Sequence, residues 1–121
     1  LLQRAVPAIA LPSFTALNTA FCNDVEPELV FAQGLMGLGK KDDILLCIST
    51  SGNSKNVVAA ALTAKALGLK TIGLTGKTGG KLKSICDICV CVPETETFKV
   101  QELHLPVYHY LCARVEKAIF K

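Results

Sequence analysis

Four short apolar runs constrain this chain more than any other feature: "AIAL" at 8–11, "ILLCIS" at 44–49, "TIGLTG" at 71–76 and "ICVCV" at 88–92. Each is continuously apolar rather than alternating, the pattern of strands covered on both faces in a parallel sheet. Helical patterns lie between them. "EPELVFAQGLMGL" at 26–38 opens on acidic residues and carries an apolar stripe at Leu29, Val30, Leu35 and Met36. "NSKNVVAAALTAKALG" at 53–68 is Ala-rich and closes on Gly68, a C-cap residue. "GKLKSI" at 80–85 fits one helical turn, and an amphipathic segment runs from about Phe98 to Phe120. Strand and helix alternate, which predicts an α/β sandwich of right-handed βαβ units.

At 121 residues the chain makes one domain. Half of it is apolar and 19% is charged, which argues against disorder. A net charge of +3, spread along the chain, does not point to nucleic acid. No apolar run reaches the roughly 18 residues of a membrane span. The opening "LLQRAVPAIALP" lacks a secretory leader's pattern and an initiator Met, so the chain reads as processed or cut. Four of the six cysteines (Cys47, Cys86, Cys89 and Cys91) fall in or beside strand runs, where a reduced thiol acts as a small hydrophobe. Cys86 and Cys89 have C-x-x-C spacing. No second pair accompanies them and the segment reads as strand, so a reducing cytoplasm is expected.

The chemistry concentrates in "STSGNS" at 49–54, where an apolar run hands over to a helix. Ligands of open α/β sheets bind beyond the carboxyl ends of strands, and helix N-termini offer free N–H groups. Ser49, Thr50, Ser51 and Ser54 add four hydroxyls, while an N-cap needs one. This is a donor-rich cup suited to phosphate, and Gly52 lets backbone approach closely. "GLTGKTGG" at 73–80 does not make a P-loop, because the required upstream Gly is replaced by Thr71. It reads as a Gly-rich turn. Asn23 and Asp24 precede the helix expected from Glu26, where a simple N-terminal turn is an equal reading. In "QELHLPVYH" at 101–109, Gln101 and His109 share a helical face through i, i+4, i+8 spacing, whereas His104 is expected on an exposed or interfacial face. Pro106 implies either a kink near Glu102 or a helix that starts later.

Together "DILLCISTSGNSKNVVAAALTAKALGLKTIGLTGKTGGKL", "CDICVCVP" and "QELHLPVYHYL" resemble the sugar isomerase (SIS) domain family, in its phosphoheptose isomerase branch. The resemblance runs from about Pro7 to Phe120. It implies a flavodoxin-like or Rossmann-like parallel sheet of order 2-1-3-4-5, here without the family's N-terminal helix and first strand. It also implies aldose–ketose isomerisation of sedoheptulose 7-phosphate in the cytoplasm. Ser49, Thr50, Ser51 and Ser54 would hold the phosphate, and Asn23 and Asp24 would line the substrate site. Gln101 would contact substrate and metal, and His109 would be catalytic and bind zinc. A homo-oligomer, dimer or tetramer, is implied, and the apolar residues around the last helix also favour one.

The family's partner base, a Glu, and further zinc ligands lie in a segment not present here. The expectation is therefore an incomplete zinc site and little or no turnover by these 121 residues alone. "AIAL" would either stand apart from "ILLCIS", with another chain or a lost segment between them, or move across to pair with it. The alternatives are a non-catalytic SIS module that binds a phosphosugar for regulation or assembly, and an α/β fragment kept for its fold.

Overall fold

The computed structural model describes residues 4–120, so the first three residues of the amino-terminal stretch read above lie outside the described residues. Three parallel strands form the sheet in the order β1-β2-β3: β1 (Ile44–Ile48), β2 (Lys70–Thr75) and β3 (Ile88–Cys91). They correspond to the last three predicted runs, and the α/β class holds. The consecutive order matches the 3-4-5 side of the expected sheet. Register pairs Cys47 with Gly73 and Gly73 with Cys89, which places one row of small side chains across the sheet. A Cβ on Gly73 would meet Cys89 Sγ at 3.1 Å and Cys86 Sγ at 3.3 Å, so the thiols occupy the space that the glycine leaves. All six cysteines are free.

The helices are α1 (Thr15–Asp24), α2 (Val30–Leu38), α3 (Lys55–Ala66), α4 (Leu82–Ile85) and α5 (Thr97–Phe120). Alanine gives α3 its helix propensity. Its buried Ala60, Ala61 and Ala64 allow close packing, with Ala64 against Leu35 of α2 and Leu69, and Ala61 against Cys47 of β1 and Leu82 of α4. The helix stops where Gly68 takes a φ of 80°, as its position after the apolar pattern predicted.

Several expectations are corrected. "AIAL" is no strand: residues 8–10 join no ladder and Leu11 opens a 3-10 turn, Leu11–Ser13. Pro7 and Pro12 flank the run without N–H donors, which disfavours pairing. Leu11 packs instead on the Leu35, Ala64 and Leu69 cluster, so the run does not cross over to β1. Nor is β1 covered on both faces. Ile44, Leu46 and Ile48 stay exposed, because the described helices bury only the Leu45 and Cys47 side.

The helix expected over 26–38 splits into a 3-10 turn, Pro27–Leu29, and α2, because Glu26 and Pro27 start the turn first. Val30 and Leu35 are buried as expected, but Leu29 and Met36 are exposed and Ala32 and Gly34 take their places. The last helix is continuous from Thr97 with Pro106 inside it, so it does not start at the proline. Its only buried residues are Val100 and His104, and the exposed or interfacial position expected for His104 is overturned.

Candidate functional site

The loop from 49 to 54 lies where β1 ends and α3 begins, beyond the carboxyl edge of the sheet. Ser49 is 5% exposed, and its N–H donates to Leu74 O at 3.0 Å, which extends the β1–β2 ladder by one bond. Ser54 does not cap α3 with its side chain. Its hydroxyl lies 2.9 Å from Ser49 Oγ and bridges the two ends of the loop. Ser51 and Ser54 are exposed and Thr50 is half-buried. Ser51 Oγ accepts from Asn53 N–H at 3.1 Å, an Asx/ST-type local bond that shapes the turn.

Gly52 makes a close backbone approach inside the protein. Its φ of 67° suits glycine, and a Cβ there would run into the backbone of Gly79 and Gly80. The close approach is to the Gly-rich turn after β2, not simply to a ligand. Leu82 N–H donates to Gly52 O at 3.1 Å, and Lys81 N–H donates to Asn53 Oδ1 at 3.0 Å. The "GKTGG" turn therefore acts as the floor of the 49–54 loop. Asn53 was overlooked in the sequence. The signal for it is an amide side chain at a loop's apex, able to bond two backbones at once.

Gly76 holds the strand ends together. Its N–H donates to Thr50 O at 2.9 Å, and Lys77 N–H donates to Glu94 O at 2.9 Å. A Cβ on Gly76 would meet Thr50 O at 2.7 Å, Glu94 O at 2.9 Å and Val100 Cγ2 at 3.1 Å. Loops after all three strands, together with α5, thus converge on one glycine. Beside the loop, Lys55 pairs with Glu28 at 2.7 Å. Glu28 holds the Lys55 ammonium above its usual range, although both side chains are open to solvent and the pair adds little stability.

The remaining candidates are more dispersed. Asn23 and Asp24 form the exposed last turn of α1, a helix that the sequence reading did not include, rather than a turn ahead of the next helix. Gln101 and His109 are both exposed on α5, and the His109 ring meets Tyr108 edge-on at 5.2 Å. No hydrogen bond or ion pair among the described residues joins either of them to the 49–54 loop. No group of three or more His, Cys, Asp or Glu among the described residues is placed to hold a metal. Cys86 and Cys89 are half-buried, and burial raises both thiols above the ordinary range. That disfavours the thiolate a metal or redox site needs.

Known proteins resemble this chain in sequence and in fold. The SIS domain profile matches residues 12–113. The chain belongs to the SIS domain family. It is 47% identical over 116 residues to the phosphoheptose isomerase of a Nitratiruptor species, covering 96% of this chain and 62% of that protein. The enzyme of that name from Aneurinibacillus thermoaerophilus is 43% identical, with 96% and 59% covered. Among solved structures, the phosphoheptose isomerase from Francisella tularensis superimposes with a TM-score of 0.88 at 39% identity, over 92% of this chain and 60% of that one. The one from Neisseria gonorrhoeae gives 0.86 at 36%, over 88% and 61%. This SIS chain therefore spans about 60% of the length of the relatives it matches.

Proposed function

We propose that this SIS chain is the phosphosugar-holding part of an aldose–ketose isomerase acting on sedoheptulose 7-phosphate. The observation that carries the reading is the 49–54 loop, which sets four hydroxyls at a strand end with Ser49 and Ser54 in contact. Ser49, Thr50, Ser51 and Ser54 hold the phosphate, with Asn23 and Asp24 toward the sugar. The names and identity of the relatives support the same substrate class. Moving a carbonyl between neighbouring carbons takes a proton from one carbon and returns one to the other through an enediol. Such transfers need an acid or base near neutral pH, and His109 is assigned one of those roles.

Zinc is the cofactor this reading brings with it. When bound it would polarise substrate oxygens. Gln101 and His109 supply two donors, fewer than the three or four that protein zinc sites use. The described residues do not make up such a site, so no step is assigned to the metal.

The reading includes a cytoplasmic location and self-association. Leu105, Tyr110, Val115 and Ile119 of α5 are exposed and suit contact with another copy. None of the described helices is long and apolar enough to cross a membrane.

The test incubates the purified protein that carries this chain with sedoheptulose 7-phosphate and follows the aldose product by NMR. Turnover that His109→Ala abolishes is the expected result. Robust turnover surviving that substitution overturns the assignment. Tight sugar-phosphate binding without turnover supports a non-catalytic SIS module instead.

A further inference from the structure

We infer that His104 is a positioning residue: it fixes the rotation and axial register of α5, so that Gln101 and His109 keep a set relation to the 49–54 loop. This rests on the function proposed above. The helix has 24 residues, and Val100 and His104 are its only buried ones, at 0% and 2% exposure. Of these two, Val100 gives only a non-directional apolar contact. His104 Nε2 lies 3.0 Å from Thr75 O, the last carbonyl of β2. A carbonyl only accepts, so Nε2 carries the proton and donates.

The place of that bond matters. The next residue, Gly76, donates its N–H to Thr50 O at 2.9 Å, inside the phosphate loop. Helix α5 and the loop thus grip adjoining positions of one backbone turn. Gly76 also leaves no room for a Cβ between Thr50 O and Val100 Cγ2, which keeps the turn closed. At about 100° per residue, Gln101 and His109 lie roughly 60° and 140° around the axis from His104, in the same sense. Rotating the helix about its anchor would move both together. His104 Nδ1 is buried without a partner. An apolar side chain would fill the space without leaving that atom unpaired, so the directional Nε2–H bond is the feature that distinguishes histidine here.

The experiment compares H104L, H104Q and H104N in the protein that carries this chain. Leucine fills the space without a donor. Glutamine places an amide N–H at a reach similar to Nε2, and asparagine's amide is too short. In isomerisation of sedoheptulose 7-phosphate, H104L and H104N are expected to lose about 10-fold or more in kcat with KM within about 3-fold, because the phosphate loop is untouched, and H104Q to recover to within about 3-fold. Hydrogen exchange over residues 97–109 is expected to quicken in H104L and H104N and to stay slow in H104Q.

Wild-type kcat in H104L or H104N overturns the proposal, as does an H104Q as impaired as they are. If H104L does not fold, the contrast between H104Q and H104N still decides. If the wild type does not isomerise the sugar, the functional reading fails. The exchange pattern then judges the anchor by itself, and equal exchange in all the variants overturns it.

Discussion

Ser49 Oγ and Ser54 Oγ lie 2.9 Å apart, joining the end of β1 to the start of α3 through side chains alone. The Ser54 hydroxyl makes this contact and no capping bond to the helix N-terminus. Under the proposed function, the two hydroxyls and the first-turn N–H groups of α3 would bind one anion, apart from Val57 N–H, which donates to Asn56 Oδ1 at 2.9 Å. Ser54→Ala is expected to weaken inorganic phosphate and sugar-phosphate binding about 5- to 10-fold, the loss of one hydrogen bond to a charged group. Ser51→Ala should weaken it as well, and it also removes the acceptor for Asn53 N–H. Isothermal titration reads both, and unchanged affinity would remove the phosphate role.

Gly52→Ala tests the packing beneath the loop. The residue has a φ of 67°, and its added methyl would meet Gly79 backbone, which cannot rotate away as a side chain could. A loss of roughly 3 kcal/mol is expected from strain and clash together. Urea denaturation should show a lower midpoint at an unchanged slope. A wild-type midpoint would mean that the two loops are not interlocked.

Asp87 makes acid stability testable. Its Oδ2 accepts from Thr71 N–H at 2.8 Å and Thr71 Oγ1–H at 3.0 Å, which holds the carboxyl below the ordinary 3.8. A depressed carboxylate stabilises the fold above the unfolded value and loses that contribution as pH falls through the folded one. Thermal midpoints should therefore drop on acidification below about pH 4 more steeply for wild type than for Asp87→Ala. Identical slopes would show that this pair does not contribute.

Cys47 behaves oppositely. Burial, then the neighbouring thiols, push it from 9.0 up to about 12. Since the unfolded thiol ionises first, its contribution is complete below pH 9.0 and declines as pH rises toward about 12. At pH 8, iodoacetamide should label exposed Cys22 and Cys112 and spare Cys47 until the chain is denatured. Peptide mass spectrometry reads the order, and early labelling of Cys47 would contradict its burial.

Local patterns made much of this molecule legible. Three of the four apolar runs are strands, because Val, Ile, Leu and Cys in short blocks suit a central sheet whichever neighbours supply the cover. Gly68 ends α3 where the apolar pattern stops, since a positive φ is a local requirement. The hydroxyl count at 49–54 flagged the loop for the same reason. "AIAL" misled because its prolines outweigh its apolar side chains, and α1 escaped because "TALNTAFCND" carries no strong cap or stripe.

The sequence by itself determined the α/β class, the hydroxyl-rich loop between β1 and α3 and the SIS resemblance, all of which rest on residues close together along the chain. Tertiary structure alone decided what Gly52 packs against, which turn Gly76 closes and that His104 of α5 is buried against Thr75. Those facts depend on which distant backbones meet, such as Gly52 with Gly79 and His104 with Thr75. Periodicity assigns a residue to a face. Only the packed fold decides what that face meets.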